Sequence, residues 1–204
     1  MDEVDSLFEQ LRSKLAQADQ LRPGETAVRQ AAVALILRKY LDSAEVLLIK
    51  RAINPRDHWS GNLALPGGRW QAGDTDMLAT AIRETREEVG IDLSRGGQVL
   101  GRLDTIKSRN PLIPQIDVTP FVFVAPDAFH VAEEDMQARL LSLNHEIDAA
   151  FWISVDHLRT KGRSEVFELI IEGSARTWPA YPSEQGLIWG MTERMLTSFL
   201  EIMK

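Results

Sequence analysis

Apolar residues recur with a helical period in some segments of the chain and stand in short continuous runs in others. Over residues 2–18 they return every three or four positions, which predicts an amphipathic helix that ends before Pro23. The same period predicts a second helix over residues 75–89, with Gly90 as its C-cap, and a third at the C-terminus. The buried stripe of this last helix is expected to consist of Ile188, Met191, Met195, Phe199 and Ile202.

Short aliphatic runs between these helices predict buried strands. The predicted strands comprise residues 31–37, 46–49, 99–106, 116–125 and 149–153. Asp42 and Ser43 are expected to form the turn between the first two strands, and Ser154 to cap a short helical turn. Residues 166–171 fit either a strand or a helix.

The order of these elements predicts an α/β fold in which a mixed β-sheet is sandwiched between helices. We interpret residues 1–24 as a helical N-terminal extension and residues 25–204 as a single domain. The amphipathic helices at the two ends could cover this domain or form the interface of a homodimer.

Composition narrows the classes of function. A net charge of −7 argues against a nucleic-acid-binding protein, which usually needs a basic face, although a bound metal ion can reverse the local sign. The absence of cysteine excludes disulfides, thiolate metal sites and cysteine nucleophiles. No apolar run approaches the ~20 residues of a membrane span, and the acidic N-terminus carries no secretory signal. These features predict a cytoplasmic protein with a small-molecule partner.

Three glutamates on the second predicted helix carry the candidate chemistry. Glu84, Glu87 and Glu88 stand at positions i, i+3 and i+4, so they project within an arc of roughly 100°. We expect them to face a cleft, away from the apolar stripe of Leu78, Ile82 and Val89, with Thr85 on the same face as the stripe. A hard divalent cation, Mg²⁺ or Mn²⁺, would relieve their mutual repulsion and could bridge phosphate oxygens. The alternative is a solvated helix face with ordinary Glu–Arg pairs.

Two glycines and an arginine fit the same hypothesis. Gly67 and Gly68 follow Pro66 and would let the backbone pass close to the helix and to a ligand. Arg83 lies among the acidic residues and could hold a glutamate in place through a bidentate contact. An ordinary turn remains the alternative for the glycines.

Residues 83–91 resemble the second half of the Nudix box, Arg-Glu-(aliphatic)-x-Glu-Glu-x-Gly-(aliphatic), with a threonine in place of the first aliphatic residue. The resemblance implies the Nudix fold and hydrolysis of a diphosphate linkage in a nucleoside-diphosphate conjugate. It also implies that Glu84, Glu87 and Glu88 bind the metal, that Glu84 and Glu87 are catalytic, and that Arg83 orients them. Asp74 stands where the box has a glutamate, as a partner for Arg83.

Further segments are similar to one branch of this family, the coenzyme A diphosphatase-like proteins. The similar segments are residues 47–52, 61–68, 81–85, 143–147 and 188–192. Ile49 and Ala52 replace two hydroxyl residues of that branch. The resemblance implies coenzyme A or a related compound as the substrate. ADP-ribose, nucleotide sugars and dinucleotide polyphosphates remain alternatives, as does a non-catalytic nucleotide-binding Nudix module.

Several residues outside the box are secondary candidates. Glu146 precedes a predicted strand and resembles the loop acid that Nudix enzymes recruit as a metal ligand or general base, against a solvated acid. Arg51 is expected to contact the substrate together with Gly67 and Gly68. Trp59 could stack on a base or anchor its loop. The remaining basic candidates for phosphate contacts, each of which could equally be a surface charge, are Arg56, Arg69, Lys107 and Arg109.

Overall fold

A computed structural model describes residues 3–18, 21, 28–55, 59–108, 115–130, 140–171 and 173–204. Its helices are α1 (Glu3–Lys14), α2 (Met77–Val89), α3 (Val155–Lys161) and α4 (Gly190–Ile202), with a 3-10 turn at Asp127–Phe129. Its strands are β1 (Arg29–Tyr40), β2 (Ser43–Arg51), β3 (Leu63–Ala64), β4 (Gly67–Arg69), β5 (Gln98–Arg102), β6 (Ile106–Lys107), β7 (Ile116–Val124), β8 (Ile147–Ser154), β9 (Glu165–Ile171), β10 (Ser174–Ser183) and β11 (Gly186–Trp189). None of the helices among these residues has the length and apolar composition that crossing a membrane requires.

The main sheet is mixed and splits between β1 and β2. β1 runs parallel to β7, which occupies one edge of β1 over residues 29–37, while β8 occupies one edge of β2. The facing edges of β1 and β2 pair with each other only near their connecting turn, at residues 37–40 and 43–46. Beyond that point β4 pairs with β1 and β3 pairs with β2. The segment from β3 to β4, which contains Gly67 and Gly68, therefore fills the split.

Helices cover both faces of this sheet. Side chains alternate between the faces along each strand, and β1 has apolar side chains on both, so each face packs against helices. On one face, Ile36 of β1 shares a buried cluster with Ala81 and Val89 of α2. On the other face, Leu35 of β1 shares a buried cluster with side chains from α1, α3 and α4. This arrangement confirms the predicted α/β fold with a mixed sheet between helices.

A second, three-stranded antiparallel sheet has the order β11–β10–β9 and lies on the α4 side of the molecule. The undecided segment 166–171 is therefore a strand. The expected helical stripe was wrong at Ile188, which lies on β11 opposite Tyr181. The helix α4 begins only at Gly190, whose positive φ of 70° marks the change from strand to helix.

Other boundaries differ from the predictions for local reasons. The strand predicted over residues 99–106 is divided into β5 and β6, which both pair with β7 but are separated by residues 103–105. A shift in register at Gly101, whose φ is 154°, lies within β5. The first helix is shorter than residues 2–18, and its buried side chains join the main core. The turn after β1 consists of Leu41 and Asp42, since Ser43 already belongs to β2. The division between residues 1–24 and 25–204 stays a prediction.

Both predicted helix caps, Gly90 and Ser154, are present, and Asp76 provides a third that the sequence analysis did not name. Asp76 is the N-cap of α2 and accepts a hydrogen bond from the backbone N–H of Ala79, so the helix begins two residues later than predicted. Gly90 closes α2 in the left-handed region, with a φ of 77°. Ser154 caps α3 through its side-chain oxygen. Asp76 and Gly90 thus fix the two ends of α2, the helix that carries the three glutamates.

Candidate metal and diphosphate site

The β4 strand and α2 approach each other so closely that only glycine fits between them. A Cβ atom at Gly68 would lie 2.6 Å from Cδ of Glu84. Gly67 is needed for a different contact, with β1: its φ is 148°, and a Cβ atom there would lie 2.4 Å from the carbonyl oxygen of Ala32. The predicted close passage of this backbone beside the helix is therefore present.

Glu88 is buried beneath this contact, with only 2% of its surface exposed. Its Oε2 accepts a hydrogen bond of 2.8 Å from the backbone N–H of Gly67, and its Oε1 lies 3.7 Å from Nη1 of Arg51. Burial raises the pKa of Glu88 to about 8, although these two contacts act in the opposite direction. The expectation that all three glutamates project away from the packed face was wrong at Glu88, which the Gly67 N–H holds inside.

Arg83 links the acidic residues around the helix. Its Nη1 donates to Oε1 of Glu84 at 2.8 Å and to Oε2 of Glu87 at 3.0 Å. Its Nε and Nη2 donate to the two carboxylate oxygens of Asp74 at 2.8 and 3.0 Å, and Nη2 also reaches the carbonyl of Arg69. The bidentate partner of Arg83 is thus Asp74 rather than a glutamate. These bonds hold the pKa of Asp74 below its usual range.

The three glutamates differ in their exposure to solvent. The exposed fraction of the side chain is 3% for Glu88, 18% for Glu84 and 49% for Glu87. Burial raises the pKa of Glu84, against the hydrogen bond from Arg83, and the charge of Glu87 adds to the effect. The turn of α2 therefore carries one carboxylate inside the protein, one at its rim and one in solvent.

The apolar stripe predicted for α2 also differs from the face that the helix packs against the sheet. Thr85 is buried as expected, and its hydroxyl donates to the carbonyl of Ala81 at 2.7 Å. Leu78 and Ile82 are only partly buried, however, and the centre of the packed face is formed by smaller or more N-terminal side chains. The fully buried positions of α2 are Met77, Thr80, Ala81, Thr85, Glu88 and Val89.

The loop before β8 is tied to the same site. The carbonyl of Glu146 accepts a hydrogen bond from the N–H of Ala52 at 2.8 Å, and the N–H of Asn144 donates to the carbonyl of Glu88 at 3.1 Å. A shift in register between Lys50 and Arg51 lies where β2 meets this loop. The Glu146 side chain is exposed, and its charge contributes to raising the pKa of Glu88. Sequence reasoning named Glu146 but missed Asn144.

The donor set suits a hard divalent ion in its chemistry. Every candidate ligand is a carboxylate oxygen, and the raised pKa values of Glu84 and Glu88 indicate that burial disfavours their ionised forms, which a bound cation would stabilise. Within the described ranges, no three acidic or histidine side chains stand close enough to share an ion as they are placed. Instead, Nη1 of Arg83 is bonded to Glu84 and to Glu87, and the backbone N–H of Gly67 is bonded to Glu88.

The other sequence candidates have varied positions. Trp59 is partly buried and packs against the core, which favours its role as a loop anchor over base stacking. Arg69 and Lys107 are exposed. Arg56 and Arg109 lie outside the described residues.

Comparison with known proteins decides the family. The NUDIX domain model matches residues 20–171. The chain belongs to the Nudix family. A Nudix hydrolase of Escherichia coli O7:K1, NudL, is 34% identical over 167 residues, which cover 80% of this chain and 77% of NudL. The NudL of Citrobacter koseri is 31% identical over 183 residues, covering 87% of this chain and 86% of that protein.

A solved structure confirms the Nudix fold. The MutT/nudix family protein from Enterococcus faecalis aligns with 99% of this chain and 74% of that chain, at a TM-score of 0.51 and 16% identity. As a Nudix hydrolase, the protein acts on derivatives of nucleoside diphosphates. Enzymes of this family generally use divalent metal ions.

Proposed function

We propose that this Nudix hydrolase splits the diphosphate linkage of coenzyme A or a related conjugate, with Mg²⁺ or Mn²⁺ held by Glu84, Glu87 and Glu88. One observation carries the proposal. On a single turn of α2, the protein keeps two carboxylates with raised pKa values against a backbone cleared by Gly67 and Gly68. Burying carboxylates without full compensation is costly, and a bound divalent ion would offset that cost.

The protein's own groups set the geometry of this ligand set. When bound, the metal would neutralise charge on the phosphate oxygens and lower the pKa of a bound water. The N–H of Gly67 fixes Oε2 of Glu88, which leaves Oε1 facing Arg51. Arg83 fixes Oε1 of Glu84, and Asp74 in turn fixes Arg83. Glu84 and Glu87 are the proposed catalytic residues of this set, and Arg83 positions them.

Arg51 and Glu146 complete the proposed site from the opposite side. Arg51 has a partly exposed guanidinium beside Glu88, so it would bind a phosphate oxygen when a metal neutralises that carboxylate. Glu146 stands on a loop fixed to the same strand end by Ala52, and its carboxylate remains accessible to solvent. We propose that Glu146 accepts a proton from the attacking water.

Coenzyme A is favoured over other conjugates by the segments that resemble the coenzyme A diphosphatase-like branch. Of the two positions where this chain lacks the hydroxyl residues of that branch, Ile49 is fully buried inside the sheet. A side chain there cannot contact a ligand, so this substitution does not weigh against coenzyme A. ADP-ribose and nucleotide sugars remain the alternative substrates. A cytoplasmic location and a homodimer also remain predictions from the sequence.

A metal titration with a substrate panel tests the proposal. Coenzyme A, ADP-ribose, a nucleotide sugar and a dinucleotide polyphosphate would each be incubated with Mg²⁺ or Mn²⁺, and the products identified. We expect metal-dependent cleavage of coenzyme A, and a loss of several orders of magnitude in turnover for Glu87→Gln with an unchanged melting temperature. The exposed Glu168→Gln on β9 is the matched control and should keep full activity. Near-normal turnover in Glu87→Gln would contradict the assigned ligand set.

A further inference from the structure

A cavity of about 220 Å³ lies between the turn before β3 and the small sheet. Its walls are residues 61–63, residues 185–187, and the rings of Phe167 and Trp189. We call it the aromatic cavity. The diphosphate site described above uses none of these side chains.

The aromatic wall of this cavity belongs to a cluster of three rings that pack together. The rings of Phe167 and Trp189 stack with their centroids 3.7 Å apart and their planes at 9°, and Trp178 packs against both at 6.3 and 5.8 Å. All three rings are only partly buried, although large aromatic surfaces gain most from full burial. A fixed, partly exposed aromatic surface can bind a ligand with little loss of side-chain entropy.

The side chains that line the aromatic cavity favour an uncharged part of a ligand. The described lining residues include no charged side chain. Leu63 and Leu187 supply aliphatic surface, while the amides of Asn62 and Gln185 can donate and accept hydrogen bonds. The volume is below the roughly 300–1,000 Å³ of pockets that enclose a drug-sized ligand, so the cavity would hold one end of a larger molecule.

The aromatic cavity is connected to the carboxylates through the backbone. The carbonyl of Asn62, in its wall, accepts a 3.0 Å hydrogen bond from the N–H of Arg51, whose guanidinium lies beside Glu88. From Leu63 to Gly67 the chain advances four residues, a distance of at most about 14 Å when fully extended. Leu63 belongs to the core on the α4 side of the main sheet, whereas Glu88 lies on α2. The aromatic cavity and the carboxylates therefore flank the β3–β4 segment that lies between β1 and β2.

We propose that the aromatic cavity binds the uncharged end of the substrate, a heteroaromatic base or an amide-bearing arm, while the diphosphate lies at Glu84, Glu87 and Glu88. This inference rests on the proposed function, since it assigns specificity to the same substrate. The cavity thereby sets which conjugates bind, and the carboxylates act on the linkage that all of them share.

Kinetics with a charge placed in the cavity test this inference. Leu187→Glu puts a carboxylate into the aromatic cavity and leaves the stacked rings in place. We expect KM for the preferred substrate to rise at least about tenfold while kcat changes less than about threefold, because the interaction is one of uniform binding. The matched control, Ile170→Glu, adds the same charge to a 71% exposed position of the small sheet and should leave KM unchanged. An unchanged KM in Leu187→Glu, with hydrolysis intact, would overturn the inference.

Fragment binding separates this inference from the proposed hydrolysis. Adenosine and pantetheine, which carry the two kinds of uncharged end without a diphosphate, would be titrated into metal-free protein while tryptophan fluorescence is followed. We expect one fragment to change the emission of the wild type and of Trp178→Phe, and to have no such effect in Trp189→Phe. The fragment that acts distinguishes the base from the amide arm. Binding without hydrolysis of any diphosphate would refute the function but retain the cavity, and equal responses in both variants would refute the cavity.

Discussion

Two regions of the molecule place side chains in unusual environments of opposite kinds. One is the junction of α2 with β4, and the other is the small sheet β9–β11. At the junction, the ionisable side chain of Glu88 is kept inside the protein by a backbone N–H and an arginine. In the small sheet, the aromatic rings of Phe167, Trp178 and Trp189 are left partly exposed. The first arrangement buries a carboxyl group whose ionised form a metal would stabilise, and the second leaves apolar surface that a ligand can cover. The comparison suggests that chemistry and selectivity are carried by separate parts of this fold.

The largest expected effect comes from filling the space at the junction. In Gly68→Ala the new methyl group would meet the Glu84 carboxylate, so this proposed ligand must move. Because displacing a reacting group by about 1 Å can cost about 100-fold, we expect turnover to fall by that factor or more. Gly73→Ala is the matched control, since a Cβ atom there has no neighbour within 4 Å. Steady-state turnover of the two variants tests this prediction. Equal rates would mean that the close contact between Gly68 and Glu84 is not needed for catalysis.

The junction was accessible to sequence reasoning because its residues occupy fixed positions along one helix. The spacing of Glu84, Glu87 and Glu88 was enough to place them on one helical turn. The Pro-Gly-Gly segment was enough to predict that the backbone passes close to that helix. Spacing could not show that Glu88 is buried, because that depends on the N–H of Gly67, 21 residues earlier in the chain. Contacts of this kind exist only once β4 has entered the split between β1 and β2.

The small sheet was harder to predict for a physical reason. Its strand β9 presents Val166 and Ile170 to solvent, with 58% and 71% exposure, so apolar residues occur on both faces and the usual alternation is lost. β10 carries two prolines, which weaken any strand pattern, and β11 is only four residues long. Ile188 was therefore assigned to the following helix, although Gly190 separates it from that helix.

A second prediction concerns the pH dependence of stability at the junction. The pKa of Glu88 is about 8 in the folded protein and near the ordinary 4.5 when unfolded, so the metal-free folded state binds the extra proton between these values. Its stability should therefore be highest below pH 4.5 as far as this group is concerned, fall as the pH rises towards 8, and level off above. Glu88→Gln cannot ionise and should melt at least about 5 °C above the wild type at pH 8.

The measurement is a series of thermal melts between pH 5 and 9 in the presence of a chelator. Glu168→Gln on β9, which is exposed and lies outside the junction, is the control and should keep the slope of the wild type. A melting temperature of Glu88→Gln that follows the wild type at every pH would show that Glu88 is not held in the protonated form. Such a result would mean that burying Glu88 at the junction has no cost to stability at high pH, and the contrast with the small sheet would be lost.

The smallest expected effect lies on the outer face of the small sheet. Ile170 alternates with Phe167 and Leu169 along β9, so its side chain points away from the aromatic cavity and remains in solvent. Ile170→Thr keeps the β-branched shape, and we expect a change within about 0.5 kcal/mol, or roughly 2 °C in melting temperature. The same substitution at the fully buried Ile36 of β1 should cost about 2–4 kcal/mol, because it buries a hydroxyl and removes apolar contacts. A large loss in Ile170→Thr would mean that this outer face is covered in solution, in which case the small sheet contributes an interface as well as a cavity.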